Sequence, residues 1–126
     1  MYNNKIASLE YRLARLESKL AYDDQSRWLL NTLAGAIESK SNLRAIPDKK
    51  IIGNTSYMTL SEQVFRNGKS VDLKIEREPN GIKIGIYTGS LNGYPEWNQT
   101  FPAKTTDGDI ALVIVKVLRN QFDMRT

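Results

Sequence analysis

Residues 71–87 read VDLKIEREPNGIKIGIY, and this stretch predicts the centre of the fold. Aliphatic residues occupy every second position on both sides of a Pro79-Asn80-Gly81 turn signal. They are Val71, Leu73, Ile75, Ile82, Ile84 and Ile86. Side chains two positions apart on a strand lie on one face of the sheet, and a short Pro/Asn/Gly turn joins antiparallel strands. The stretch therefore predicts an antiparallel hairpin whose six aliphatic side chains share one face.

Strand patterns also flank this hairpin. Residues from Tyr57 to Arg66 predict a preceding strand that ends at Asn67-Gly68, a strong two-residue hairpin signal. Residues from Glu96 to Phe101 predict a following strand, with Trp97, Gln99 and Phe101 on one face. The basic stretch from Lys40 to Lys50 contains Pro47 and predicts a loop. The expected sheet is therefore antiparallel and four-stranded.

Two helices are predicted beside the sheet. An amphipathic helix from about Asp107 to Phe122 should cover it, with Thr106 and Asp109 forming a capping box at its start. Leu112 and Val115 lie outside the apolar stripe of this helix, so its apolar surface is wider than the stripe. We expect another subunit to cover this additional apolar surface. A second helix, from about Gln25 to Ser39, carries an apolar stripe of Leu29, Leu30, Leu33 and Ile37. The predicted fold class is α+β.

The first 22 residues predict a coiled coil that joins identical chains. Apolar residues alternate in spacings of four and three, at Tyr2, Ile6, Leu9, Leu13, Leu16 and Leu20. In a parallel coiled coil, Arg12 of one helix lies opposite Glu17 of a neighbouring chain. Antiparallel helices would instead pair like charges. The sequence therefore predicts a parallel homo-oligomer, either a dimer or a trimer, with a coil over residues 1–22 and a globular α+β domain over 23–126. A single helix from Tyr2 to Ser39 is the alternative to a break at Asp23 and Asp24.

The composition excludes several classes of chemistry. The 126 residues contain no cysteine and no histidine, which removes thiolate metal sites, disulfides and the commonest acid/base catalyst. The carboxylates of Asp107 and Asp109 are explained by helix capping, so we expect no metal ion. No tight constellation of Asp, Glu, Lys, Ser or Tyr replaces the missing catalysts, so we expect no cofactor and no enzymatic activity. The longest apolar stretch, Ile110 to Val115, is too short to span a bilayer, and no signal-peptide pattern opens the chain. We expect a soluble, cytoplasmic protein without a membrane partner.

Charge and aromatic content favour a polyanionic partner. The net charge is +4 and the pI is near 9.4, which favours binding to nucleic acid. The predicted contact residues are basic groups of one loop and two strands with one aromatic ring, namely Lys40, Arg44, Lys49, Lys50, Lys74, Lys83 and Tyr87. Aromatic rings at Tyr57, Tyr87, Tyr94 and Trp97 could stack on unpaired bases, although each is more simply explained by packing within the sheet.

Two resemblances point the same way. The opening residues IASLEYRLARLESKL resemble the N-terminal coils of small proteins of large tailed bacteriophages. The predicted order of four antiparallel strands and a long helix is similar to the Whirly and transcriptional-coactivator folds, which bind single-stranded nucleic acid as oligomers. This likeness is of element order alone. The leading hypothesis is therefore a non-enzymatic oligomer, phage-encoded, that binds RNA or single-stranded DNA with weak sequence specificity. The alternative is a phage structural or host-protein-interaction protein whose coil sets valency.

Overall fold

The structure is a computed structural model that describes residues 26–126. It contains helix α1 over residues 26–40, strands β1 (Leu43–Pro47), β2 (Thr55–Glu62), β3 (Ser70–Glu78), β4 (Gly81–Tyr87) and β5 (Trp97–Pro102), and helix α2 (Asp107–Gln121). The predicted α+β class is confirmed. The predicted coiled coil, with Ile6, Leu9, Arg12, Leu13, Leu16, Glu17 and Leu20, lies outside the described residues, and so does the predicted break at Asp23 and Asp24.

The sheet is an antiparallel meander in which every strand pairs with its neighbours in the chain, in the order β1-β2-β3-β4-β5. The predicted hairpin over residues 71–87 is confirmed: β3 and β4 are joined by Pro79 and Asn80 alone, and Ile75 pairs with Ile84. Five of its six aliphatic side chains are buried and Ile82 packs at the margin of the core. The alternation of apolar and polar residues therefore fixes which face of the sheet is covered.

The prediction of four strands is wrong, because residues 43–47 form a fifth strand within the stretch predicted as a loop. Leu43 and Ala45 are buried, and the alternate residues Arg44 and Ile46 are exposed. Pro47 ends the strand at the edge of the sheet, where a missing N–H costs no hydrogen bond. The basic composition obscured this strand, whose two inward side chains are stabilised by contacts with distant parts of the chain.

The two-residue hairpin predicted at Asn67-Gly68 is also wrong. Strand β2 ends at Glu62, and residues 63–69 form the connection to β3. The Glu62 N–H donates to the Lys69 carbonyl oxygen at 2.9 Å. Asn67 adopts a left-handed conformation with φ of 57° inside this longer loop, which Asn tolerates better than most residues. The Glu62 carboxylate closes the loop by accepting the Lys69 N–H at 2.6 Å, so a side-chain hydrogen bond replaces the expected tight turn.

Both helices contribute to one hydrophobic core with the covered face of the sheet, which we call the inner face. The predicted stripe of α1 is confirmed, since Leu29, Leu30, Leu33 and Ile37 are buried. Helix α2 begins as predicted, because the Thr106 hydroxyl accepts the Asp109 N–H at 3.2 Å. Val115 is buried within the same core cluster as α1, so part of the wide apolar surface of α2 is covered within the chain; Leu112 remains exposed.

No helix within residues 26–126 has the length and apolar character that crossing a bilayer requires.

Candidate nucleic-acid interface

No helix of the described chain covers the other side of the sheet, which we call the outer face. Strand pairing places one set of alternate residues there: Arg44, Ile46, Tyr57, Thr59, Asp72, Lys74, Glu76, Lys83, Gly85, Tyr87, Asn98 and Thr100. Of the predicted contact residues, the fold brings Arg44, Lys74, Lys83 and Tyr87 to this face. Two tyrosines and several amide and hydroxyl groups lie on the same surface.

Lys74 lies at the centre of the outer face between two aromatic rings. Its cross-strand partners are Tyr57 on β2 and Gly85 on β4. Tyr87 lies over Gly85, since a Cβ atom added there would be 3.0 Å from the Tyr87 ring. This packing explains why Tyr87 is only 7% exposed on an otherwise open face. Glycine at position 85 therefore makes room for the Tyr87 ring.

The Lys74 ammonium is already paired with a carboxylate. Its Nζ atom lies 3.3 Å from the Glu76 carboxylate. Partial burial works against the charged amine, but the hydrogen bond and charge of Glu76, with smaller contributions from Tyr87 and Tyr57, outweigh it and raise the pKa of Lys74. Lys74 is therefore charged at neutral pH, but much of that charge is balanced locally.

The outer face as a whole is electrically balanced. Arg44 on β1, Lys74 on β3 and Lys83 on β4 are matched in number by three carboxylates of β3, those of Asp72, Glu76 and Glu78. Asp72 also accepts a hydrogen bond from the Thr59 hydroxyl at 3.1 Å. Because phosphate binding depends on a local excess of positive charge, this face offers stacking and hydrogen-bonding groups rather than a strong electrostatic attraction.

A more basic surface lies where the β2–β3 loop meets the C-terminal segment. We call it the basic end and define it as Phe65, Arg66, Lys69 and Arg125. Glu62 holds its two segments together: one carboxylate oxygen accepts the Lys69 N–H and the other accepts the Arg125 N–H, each at 2.6 Å. A cavity of about 520 Å³ is lined by Arg66, Lys69 and Arg125 together with other residues of the two segments.

At the basic end, backbone N–H groups bind the Glu62 carboxylate and Lys69 lies near the Asp123 carboxylate, so the arginine side chains are left able to bind a ligand. The backbone N–H groups of Arg125 and then Lys69 lower the pKa of Glu62, so it is ionised at neutral pH. Lys69 donates to the Asp123 carbonyl oxygen at 3.1 Å and lies 3.8 Å from its carboxylate. Arg66 and Arg125 form no ion pair within the described part of the chain. Guanidinium groups of this kind can bind phosphate through two hydrogen bonds.

An exposed aromatic ring completes this surface. Phe65 is 94% exposed, and the Arg66 guanidinium lies 5.6 Å from the centre of its ring. Arg44 belongs to the same end of the sheet, because it pairs with Ser61, the residue before Glu62. Three arginines from distant parts of the sequence thus lie toward one end of the sheet, and one of them, Arg66, lies beside the exposed ring. Arginines can bind phosphates and an exposed ring can stack on a base.

The remaining predicted contact residues lie elsewhere. Lys40 ends α1, and its side chain lies beside Gly108, where a Cβ atom would be 3.4 Å from the lysine Cε. Lys49 and Lys50 are exposed in the β1–β2 connection. Of the predicted stacking rings, Tyr94 is 95% exposed in the β4–β5 connection, whereas Trp97 packs against the core. The predicted set is therefore divided between separate surfaces.

Sequence reasoning missed Phe65, Arg66, Lys69 and Arg125. A usable signal was present, since an aromatic residue followed by arginine sits beside Asn67-Gly68, where side chains are usually exposed. Arg125 carries no comparable signal, because tertiary contacts bring it to the loop, among them the hydrogen bond from its N–H to Glu62 and the contact of Lys69 with Asp123.

From residue 26 onward, no group of three or more His, Cys, Asp or Glu residues is arranged so that it could bind a metal ion. Comparison with protein-family models, with curated proteins and with solved structures finds no match to this chain.

Proposed function

We propose that this protein is a non-enzymatic module that binds RNA or single-stranded DNA as a homo-oligomer. The observation that carries the proposal is the basic end, where the Arg66 guanidinium lies 5.6 Å from the centre of the exposed Phe65 ring. Arg66 and Arg125 line one cavity there, and neither forms an ion pair with any residue from 26 to 126. Arginines supply phosphate contacts and an exposed ring supplies base stacking, which together bind single strands with little sequence preference.

The outer face extends this surface. Arg44 lies at its margin toward the basic end, and Tyr57, Lys74 and Tyr87 lie farther along the strands. A nucleic-acid strand held by phosphate contacts at the basic end could pass over the outer face, where hydrogen-bonding groups and partly exposed rings would contact it. Because its charges are balanced, the outer face would mainly orient the bound nucleic acid and add contact area. Most of the electrostatic attraction would come from the arginines.

Oligomerisation would multiply a modest surface. One copy offers three arginines at this end, and copies joined through the predicted N-terminal coil would bind one strand at several points. Linking binding surfaces in this way can raise avidity by roughly 10² to 10⁴. Weak attraction by each subunit is therefore compatible with firm binding by the assembly.

A charge-matched pair of variants tests the proposal. The first replaces Arg44, Arg66 and Arg125 with Gln, and the control replaces Lys40, Lys49 and Lys50 with Gln. Each removes the same charge from exposed positions. Fluorescence anisotropy with labelled uridine and thymidine oligonucleotides, between about 50 and 200 mM salt, would measure the affinity and its salt dependence.

We expect only the arginine variant to lose affinity for every sequence. Its salt slope should fall by about 0.7 for each phosphate that the variant no longer neutralises, or about 2 in total per subunit if all three arginines bind phosphate. Equal losses of affinity in both variants would indicate general charge attraction without a site at the basic end. No binding by the unaltered protein at about 50 mM salt would overturn the proposal.

Stacking has its own matched control. Phe65→Ala removes one exposed ring, and Tyr94→Ala removes an equally exposed ring from a different loop. Base stacking on an aromatic side chain contributes about 1 to 3 kcal/mol, so Phe65→Ala should weaken single-strand binding by that amount and Tyr94→Ala should leave it nearly unchanged. Identical affinities in the two variants would remove Phe65 from the site.

A protein partner is the second candidate. Trp28 is 66% exposed and lines a cavity of about 570 Å³ with Ile82 and Ala103, and Leu112 is 54% exposed on α2. Aromatic side chains such as that of Trp28 are enriched at protein interfaces, and exposed apolar side chains grouped together mark interaction sites. This alternative becomes the preferred one if the unaltered protein fails to bind nucleic acid.

A further inference from the structure

The two edges of the sheet are protected very differently. At the β1 edge, the Glu38 carboxylate accepts the Ala45 N–H at 3.1 Å, and the Ser41 hydroxyl accepts the Leu43 N–H at 3.1 Å. Arg44 adds a charge, and Pro47 ends the strand. Side-chain caps, charges and prolines are the usual means of preventing a sheet edge from pairing with another chain.

The β5 edge has little of this protection. Its sequence WNQTFP contains no charged residue, and its one proline is the final residue. Within residues 26–126, β4 is its only partner strand. Because alternate residues of an edge strand direct their backbone groups away from the sheet, β5 presents hydrogen-bonding groups that no described side chain caps.

The inner side of β5 also leaves room for a neighbour. Gln99 pairs with Ile84, so it lies on the inner face, and yet it is exposed while Ile84 is fully buried. The cover provided by the helices therefore ends between β4 and β5 at this level of the sheet. A strand added beyond β5 would not have to displace a helix above Gln99.

The sequence of β5 is complementary to itself in the antiparallel direction. A two-fold axis at Gln99 places Trp97 of each chain opposite Phe101 of the other. Two equivalent aromatic pairs then lie on the inner face. It also places Asn98 opposite Thr100 on the outer face. Aromatic and polar cross-strand pairs of this kind stabilise antiparallel sheets, and an isologous contact of one patch with its own copy is the commonest form of dimer interface.

The flanking charges favour the same orientation. Glu96 precedes the strand and Lys104 follows it, so antiparallel pairing brings the carboxylate of one chain toward the ammonium group of the other. Parallel pairing would bring like charges together. We infer that β5 pairs with β5 of a second copy of this chain about a two-fold axis at Gln99, forming a continuous ten-stranded sheet with both sets of helices on one side.

Cysteine cross-linking tests this pairing, because the chain has no cysteine of its own. Directly opposed residues in antiparallel strands have Cα atoms about 4.5 to 5.5 Å apart, within the range of a disulfide. The full-length Gln99→Cys variant should therefore form a covalent dimer under mild oxidation. The control, Lys83→Cys, alters an exposed residue one strand inward, which pairing would separate from its copy by three strand spacings, or about 14 Å.

Gln99→Cys should cross-link on the order of 10²-fold faster than Lys83→Cys at micromolar protein, because fixed pairing raises the effective concentration toward millimolar. Similar rates for the two variants would overturn the inference. Both substitutions lie at exposed positions, and circular dichroism of the reduced proteins would verify that the fold is retained.

The register has a separate test. Asn98→Cys and Thr100→Cys chains, co-expressed with different tags, should form a mixed disulfide. Each chain alone should cross-link poorly, since identical residues then lie about 7 to 8 Å apart on the diagonal. Mixed disulfides no more frequent than those within each variant would overturn the register centred on Gln99. These measurements do not depend on nucleic-acid binding. They therefore test the β5 pairing separately from the proposed function.

Discussion

Along β3 and β4, neighbouring residues lie on opposite faces of the sheet in very different surroundings. Ile75 and Ile84 are fully buried beneath the helices, whereas Lys74 and Lys83 lie on the outer face. The inner face carries mainly aliphatic side chains at the strand centres, and the outer face carries charged, hydroxyl and tyrosine side chains. The same strands therefore supply both the core and an open surface.

This difference means that stability and recognition can change almost independently. Substitutions on the inner face remove contacts that hold the helices on the sheet, and those on the outer face mostly alter charge and hydrogen bonding with solvent. Tyr87 is the main exception, because its ring is buried on the open side over Gly85. Paired substitutions at neighbouring positions can therefore separate the two roles.

Ile84→Ala should cause the largest loss of stability. The side chain is fully buried at the centre of β4, and large-to-small changes at such positions cost about 2 to 5 kcal/mol. The adjacent change Lys83→Ala, on the outer face, should alter the free energy of unfolding by less than about 0.5 kcal/mol. Urea unfolding of both variants measures the contrast, and equal losses would mean that the two faces are assigned wrongly.

Tyr87→Ala should show that one outer-face residue behaves like a core residue. Its ring packs over Gly85 and near Pro95, and losing a buried side chain of this size should cost about 1.5 to 3 kcal/mol. Tyr57→Ala is the matched control, since Tyr57 lies on the same face but is only half-buried. Urea unfolding should rank Tyr87→Ala as the more destabilising change; the reverse order would contradict the packing of Tyr87 over Gly85.

Thr106→Ala should weaken the helix that covers the inner face. The substitution removes the hydroxyl that accepts the Asp109 N–H at the start of α2, and loss of such a cap costs about 0.5 to 2 kcal/mol. Thr105→Ala, one residue earlier, is the control because it leaves the cap intact. Thermal unfolding followed by circular dichroism should show a lower Tm for Thr106→Ala than for Thr105→Ala. Identical midpoints would argue against the cap.

Glu62→Gln should have the smallest effect, visible mainly in the pH dependence of stability. Backbone N–H groups of Arg125 and Lys69 lower the pKa of Glu62 in the folded protein. A lowered folded-state pKa means that stabilisation is present above the unfolded-state pKa and is lost as the pH falls through the folded-state value. The unaltered protein should therefore lose more stability than Glu62→Gln on acidification from neutral pH.

Urea unfolding at several acidic pH values tests this expectation. The control is Glu78→Gln, which removes a carboxylate at the exposed end of β3 and should leave the acid dependence close to that of the unaltered protein. If Glu62→Gln and the unaltered protein lose stability in parallel as the pH falls, the Glu62 carboxylate does not favour the folded state through its hydrogen bonds.

Local sequence determined the central hairpin and α2. Aliphatic residues at every second position, with Pro79 and Asn80 between them, leave one way to bury Leu73, Ile75 and Ile84 together, so periodicity alone assigns the faces. Thr106 followed by Asp109 and an apolar stripe likewise specifies where α2 begins. These features depend on residues close in the chain, and their physical signals are therefore readable without the fold.

Tertiary structure decided β1, the β2–β3 loop and the basic end. Residues 43–47 are short and partly charged, and they form a strand because β2 supplies hydrogen bonds and the core accepts Leu43 and Ala45. Glu62 joins Lys69 to Arg125, which lies 63 residues farther along the chain. Neither partner can be identified from local spacing, because the energy of such contacts arises only when distant segments are already packed side by side.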